Sequence, residues 1–184
     1  STMAEQANVH NYKSNQRTFR DHRWRYRYDD DERSTKFYLD YRVVLQHAGG
    51  IEVGEFKPHR SNGLTEHGTT FLQDVLTVAS NLGFMTSTDA PELYHGGVET
   101  WVSGKSRQFH HKVTGLPSQQ VLMEVRAFKN QNMHVRFSQD FIRALNVEMG
   151  RLQGWLHSPE EAAEELNDPL AASCFRSNHQ LKTG

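Results

Sequence analysis

The sequence has a single cysteine, no long apolar run and almost no net charge. Because Cys174 has no second cysteine to pair with, an intrachain disulfide framework is excluded, which is typical of a protein from a reducing compartment. No run approaches the roughly 20 apolar residues that a membrane-spanning helix needs. The first residues also lack the basic and then apolar pattern of a signal peptide. These absences predict a cytoplasmic protein that does not enter a membrane.

The composition is that of one folded domain, alone or with an appended piece. Of the 184 residues, 36% are hydrophobic and 10% aromatic, which is enough for a core and argues against wholesale disorder. The 21 basic and 22 acidic residues give a net charge of −1. Since this balance favours no class of partner, the distribution of the charges has to be considered instead.

Hydrophobic periodicity predicts an α/β core in the first half of the chain. Residues 23–28 alternate strictly between arginine and aromatic side chains, which is typical of a half-buried strand. Residues 69–82 place apolar side chains three or four positions apart, as an amphipathic helix does. Strands and a helix in this order indicate an α/β unit. The other strands predicted in this half cover residues 36–45, 51–57 and 84–88.

The second half of the sequence predicts a β-hairpin followed by two helices. Two apolar strands flank the turn-forming residues 129–132. A helical stripe covers 141–155, and Ser-Pro-Glu-Glu at 158–161 is a capping box that starts a last helix. Weaker strand patterns lie at 98–102 and 108–113. We therefore divide the chain into a polar arm (1–22), an α/β core (23–97), a hairpin and helix extension packed on the core (98–168) and a flexible tail (169–184).

Three side chains predict a metal site in the first half. Gly49 and Gly50 are expected to turn the strand that carries Asp40 into a second strand that ends with Glu55 and Lys57. Glu55 and Lys57 are two residues apart, so they share one face of that strand. Two carboxylates and an ammonium in one place can hold a hard divalent cation and activate a water molecule. This arrangement is suited to cutting a phosphodiester bond.

Residues 23–93 resemble the PD-(D/E)xK nuclease superfamily, and most of all its TnsA-type transposon-end endonucleases. The resemblance is carried by Leu39-Asp40, by Glu55-Phe56-Lys57-Pro58, by the helix through Val75 and by Gly83-Phe84-Met85-Thr86. It implies a restriction-endonuclease-like mixed sheet flanked by helices, and Mg²⁺- or Mn²⁺-dependent cleavage of DNA. It also implies that Asp40 and Glu55 are metal ligands and that Lys57 orients or activates the attacking water.

The sequence departs from the superfamily pattern at the upstream glutamate. That residue has no obvious counterpart, and Glu5 and Glu32 are the nearest candidates. The alternative interpretation is therefore a catalytically inactive nuclease-fold protein that binds DNA or a host protein. The resemblance to TnsA-type enzymes implies a subunit that cuts DNA only together with partners. A recombinase or another protein partner is therefore expected, with a homodimer as a further alternative. Residues 124–137 and the helix after them are also similar to the end of a methyltransferase-associated domain of phages and mobile islands.

Basic side chains beside aromatic ones predict where DNA would bind. Cations contact backbone phosphates, and aromatic rings stack on unpaired bases. For the arginines of the alternating strand at residues 23–28, the alternative is that they form a solvated strand face. That face could still lie against DNA. The residues predicted to contact DNA are Arg20, Arg23, Arg25 and Arg27 in the first half and Lys129 and Arg136 in the hairpin.

Overall fold

The computed structural model describes residues 16–18, 37–53, 63–86 and 101–176, with backbone alone for 16–18 and 37. These residues form an α/β fold in which helices flank a five-stranded antiparallel sheet. The strands are β1 (Gln16–Thr18), β2 (Phe37–Leu39), β3 (Arg42–Leu45), β4 (Met85–Thr86), β5 (Arg107–Lys112), β6 (Gln120–Ala127) and β7 (Met133–Phe137). The helices are α1 (Glu66–Asn81), α2 (Gln139–Leu152), α3 (Pro159–Glu165) and a 3₁₀ helix (Pro169–Cys174).

The main sheet has the strand order β3-β7-β6-β5-β4, and β1 and β2 form a separate two-stranded sheet. Every pairing between these strands is antiparallel, so the prediction of a mixed sheet is not met by the described strands. The α/β class and the flanking helices are confirmed. The predicted boundary at residue 97 lies outside the described ranges, and residues on both sides of it share this sheet and one hydrophobic cluster.

One face of the main sheet is buried by helices. In β7, Met133, Val135 and Phe137 point inward, and the side chains between them are exposed. The inward side chains of the sheet form one cluster with the apolar stripes of α1 and α2. The ring of Phe141 in α2, for example, lies edge-on to that of Phe137 at 5.5 Å between centroids. The apolar spacing that predicted both helices is thus the spacing of the core-facing side chains.

The α-helices begin directly after capping hydroxyls. The start of α3 is the one that the sequence predicts, whereas α1 begins at Glu66 and α2 at Gln139, three and two residues before their predicted starts. Ser138 Oγ accepts a hydrogen bond from the N–H of Phe141 at 3.1 Å, and Ser158 Oγ accepts one from the N–H of Glu161 at 3.1 Å. Such caps satisfy N–H groups that lack a partner in the first turn of a helix. None of the helices in the described ranges is both long enough and apolar enough to cross a membrane.

The hairpin predicted from residues 36–45 and 51–57 is not formed in the part that is described. Asp40 and Tyr41 interrupt the first strand, and β3 pairs with β7 instead of with residues 51–53. Gly49 and Gly50 do have positive φ, at 123° and 66°. However, they pass the backbone between two other elements: a Cβ at Gly49 would lie 2.3 Å from Gly68 N of α1, and one at Gly50 2.2 Å from Phe128 O.

The segment after α3 differs from the flexible tail that was predicted from residue 169. Pro169–Cys174 is a 3₁₀ helix, and Asp168 caps it by accepting a hydrogen bond from the N–H of Leu170 at 3.0 Å. Ala171 of this helix belongs to a second small apolar cluster with Val147 of α2 and Ala162 of α3. The sequence does not indicate this burial, because the apolar side chains involved are small and the segment as a whole is polar. Residues 177–184 lie outside the described ranges.

Candidate nucleic-acid interface

The outer face of the main sheet carries a group of basic side chains. Successive residues of a strand point to opposite faces, so the residues between the buried ones of β3, β6 and β7 point outward. Val44 is half-buried on this face. The charged or ionisable side chains on it are Arg42 of β3, Glu124 and Arg126 of β6, and His134 and Arg136 of β7. We call the outward side of these three strands the open face.

Strand register places the members of the open face in two rows. Arg42 lies directly opposite Arg136, and Arg136 lies directly opposite Glu124 on its other side. In the second row His134 lies between Val44 and Arg126. The strands pair across about 4.8 Å, so the three guanidinium groups come from neighbouring positions of one surface.

The charges of the open face are not balanced. Arg126 approaches Glu124, with 3.7 Å between Nη2 and Oε1, whereas Arg42 lies over the ring of Tyr41 at 5.4 Å from its centroid. Within the described part of the chain, neither Arg42 nor Arg136 forms an ion pair. Among the described outward side chains of these strands, three arginines thus share one carboxylate. Such a concentration of cations raises the local potential even when the net charge of the chain is near zero.

The two rows surround a shallow depression of about 230 Å³. Val44 supplies an apolar side chain to it, and His134 supplies a ring. The ring of His134 packs against that of Phe128, with 4.6 Å between centroids and 51° between planes. Partial burial and the positive charge of Arg126 lower the pKa of His134, so its imidazole is neutral at pH 7. The depression combines ring, apolar and cationic surface.

The neighbouring parts of the same surface add further basic groups. Lys112 at the end of β5 is exposed, and it lies opposite Met85 of the edge strand β4. His110 of β5 is exposed one alternate position away. Lys129 is exposed in the turn between β6 and β7. Of the two cations that the sequence predicted in this hairpin, Arg136 lies on the open face and Lys129 lies at its end.

Asp40 occupies a different place, at the junction between β2 and β3. It is half-buried, and its Oδ1 accepts a hydrogen bond from the N–H of Tyr41 at 3.2 Å. It lines a cleft of about 270 Å³ with residues of α2 that include Gln139 and Arg143. The described residues contain no group of three His, Cys, Asp or Glu side chains that could hold a metal ion.

The backbone before Asp40 is held by a buried side chain of α2. Asn146 Oδ1 accepts a hydrogen bond from the N–H of Leu39 at 2.8 Å, and Asn146 Nδ2 donates one to the carbonyl oxygen of Leu39 at 2.8 Å. The amide therefore satisfies both polar groups of one buried residue, as a neighbouring strand would. Beside it, Arg143 pairs with Asp168 at 2.5 Å and with Asp140 at 2.8 Å. The hydrogen bond from Arg143 lowers the pKa of Asp168.

The remaining predicted site residues lie outside the described ranges. These are Glu55 and Lys57 of the metal site, the arginines at 20, 23, 25 and 27, and the candidate glutamates at 5 and 32. Their roles stay predictions.

Sequence reasoning missed Arg42, Arg126 and His134 as members of a surface. The outward positions of Arg126 and His134 follow from alternation within the hairpin. Arg42 joins them only through the pairing of β3 with β7, which connects distant parts of the chain and has no local signal.

Comparison of the chain with protein-family models, with curated proteins and with solved structures gives no match.

Proposed function

We propose that this protein binds DNA through the open face. The observation that carries the proposal is the position of Arg42 opposite Arg136, where neither forms an ion pair with a described residue. Like charges directly opposite each other destabilise a sheet. A phosphate lying between two guanidinium groups removes that repulsion and accepts charge-assisted hydrogen bonds from both.

The wider surface fits a polyanion better than a small anion. Lys112 and Lys129 lie beyond the two rows, so cations extend along the surface in both directions. A chain of phosphates gains from such an extended arrangement because each neutralised phosphate releases condensed counterions. The arginines predicted from the sequence at 20, 23, 25 and 27 would add to the same attraction.

Mg²⁺-dependent cleavage of DNA is the second candidate function. It rests on the resemblance to PD-(D/E)xK nucleases and on the location of Asp40. This residue lies two positions before Arg42, which is the first residue of β3. A DNA backbone bound at Arg42 would pass near this carboxylate. Asp40 and Glu55 would hold the ion, and Lys57 would act on the water. A restriction-endonuclease-like arrangement, a mobile-element setting and a recombinase partner or homodimer belong to this proposal. The inactive, DNA-binding form of the fold is its alternative.

Binding is tested by fluorescence anisotropy with labelled 20-nucleotide DNA, single-stranded and duplex, at low salt. We expect Arg42→Ala to weaken binding and Glu124→Gln to strengthen it, because the second change removes the one carboxylate among the outward side chains of β3, β6 and β7. Gln108→Ala is the matched control, since Gln108 lies opposite Glu124 and is uncharged. Absence of binding by the wild type to either DNA would refute the proposal.

Cleavage is tested separately with supercoiled plasmid and Mg²⁺ or Mn²⁺. We expect nicking by the wild type, and none by Asp40→Asn or Lys57→Ala, while both variants keep their affinity for DNA. Equal nicking by the variants would contradict the catalytic role. A wild type that binds DNA without nicking it, and whose calorimetric Mn²⁺ titration equals that of Asp40→Asn, would identify the inactive form.

A further inference from the structure

The shape of the open face limits which parts of DNA it can reach. The open face is part of the five-stranded main sheet, whose strands lie about 4.8 Å apart, so the sheet is roughly 20 Å wide, whereas the major groove is about 12 Å wide. The sheet therefore cannot enter the groove of a duplex. The described part of the open face carries side chains and a depression. Duplex DNA would meet this surface only through its phosphates.

The depression itself has the chemistry of a base-binding site. Its lining combines three arginines and the carboxylate of Glu124 with the apolar side chain of Val44 and the ring of His134. The ring of His134 is also in contact with a second aromatic group, Phe128. A neutral ring of this kind stacks on the face of a nucleobase. The phosphates on either side of that base would then reach the arginines of the two rows.

On the basis of the proposed function, we infer that the depression binds an unpaired base of single-stranded DNA. His134 provides the stacking surface, Val44 contacts the edge of the base, and Arg42, Arg126 and Arg136 contact the adjacent phosphates. Bases of a duplex are stacked on each other and unavailable to this ring, so the site selects for unpaired DNA. The open face would thus distinguish the strand state of DNA, and it would do so with little dependence on base sequence, since every base has a face that can stack.

The experiment compares a labelled 12-nucleotide single strand of mixed sequence with the duplex of the same sequence, at equal salt and pH 7.5. We expect tighter binding of the single strand. His134→Ala should weaken single-strand binding about tenfold and weaken duplex binding by a much smaller factor. His134→Phe should retain most of the affinity because it keeps a ring. His134 is exposed, so these variants should fold, and their circular dichroism spectra should match that of the wild type.

The outcomes separate this inference from the proposed function. Equal or tighter binding of the duplex would overturn the inference and leave DNA binding in place. The same holds if His134→Ala weakens both DNAs equally or neither. Failure of both DNAs to bind would overturn the proposed function together with the inference that rests on it.

Discussion

Arg42 of β3 and Arg136 of β7 lie directly opposite each other on an exposed sheet surface, and neither forms an ion pair with an acidic side chain of the described residues. Two like charges at opposing positions of a sheet cost stability. Residues that lower stability are retained where function needs them. The pair is therefore the part of the molecule in which stability and binding should respond in opposite directions.

Arg136→Ala should show this opposition. We expect the free energy of unfolding in urea to stay the same or rise by about 0.2–1 kcal/mol, because the repulsion is removed. The affinity for DNA should fall at the same time, since a phosphate contact is lost. Arg136→Lys, which keeps the charge, is the control. If Arg136→Ala lowers both stability and affinity, the arginine has a structural role and the argument from repulsion is wrong.

Gly50→Ala should destabilise the fold by about 2–4 kcal/mol. Gly50 has a φ of 66°, and an added Cβ would lie 2.2 Å from the carbonyl oxygen of Phe128. Both strain and overlap with backbone therefore oppose the change. Gly154→Ala is the matched control: its φ is 72°, but an added Cβ meets nothing within 4 Å. Thermal or urea unfolding should show a loss of about 1–2 kcal/mol for that variant.

The difference between the two glycine variants isolates the close approach from the backbone strain. If both variants lose the same stability, the passage of Gly50 beside the β6–β7 turn is not tight. That result would contradict the position that the structure gives to the segment connecting β3 to α1.

Asn146→Ala should lower the free energy of unfolding by about 2–4 kcal/mol, because the N–H and the carbonyl oxygen of Leu39 are left buried without partners. Asn146→Leu fills a similar volume without restoring the hydrogen bonds, and we expect a comparable loss. Urea unfolding of the two variants distinguishes the causes. Stability near that of the wild type in Asn146→Leu would mean that packing, and not the pair of hydrogen bonds, holds β2 against α2.

The pair of Asp168 with Arg143 should contribute to stability in a pH-dependent way. The hydrogen bond from Arg143 lowers the pKa of Asp168 in the folded protein. The stabilisation that this pair gives the fold is therefore complete above the pKa of Asp168 in the unfolded chain, about 4. It is lost as the pH falls through the lower pKa that Asp168 has in the folded protein. Asp168→Asn should lower the free energy of unfolding by about 1 kcal/mol at pH 7. On acidification, the stability of this variant should fall less than that of the wild type.

Unfolding curves at pH 7 and at successive values below 4 provide the measurement for Asp168. Glu160→Gln is a suitable control because Glu160 is an exposed carboxylate of α3 outside this pair. An acid-induced loss in Asp168→Asn as large as that of the wild type would show that other groups account for it.

The local elements of this fold could be predicted from the sequence. The spacing of Phe71, Leu72 and Val75 predicts α1, and Ser158 followed by Pro159 predicts the start of α3. The turn at 129–132 is also a local property, and it does join β6 to β7. Periodicity, caps and turn residues act within a few positions of each other, so a sequence displays them directly.

The pairing of distant segments could not be predicted in the same way. Gly49 and Gly50 indicate positive φ, and the structure has it, but the sequence does not say which backbone lies beside them. The sequence therefore predicts that the strand after the glycines pairs with the strand before them, whereas β3 pairs with β7. The same nonlocal pairing brings Arg42 to Arg136. Of the three residues predicted to form the metal site, Asp40 alone lies in the described ranges.

The salt dependence of DNA affinity tests the central claim most directly. Each phosphate contact adds about 0.7–0.9 to the slope of log affinity against log salt concentration. We predict a steep slope for the wild type with the DNA that binds best, and a slope lower by about 1.4–1.8 for Arg42→Ala/Arg136→Ala, with Gln108→Ala unchanged. A slope in the double variant equal to that of the wild type would contradict binding of phosphates at this pair.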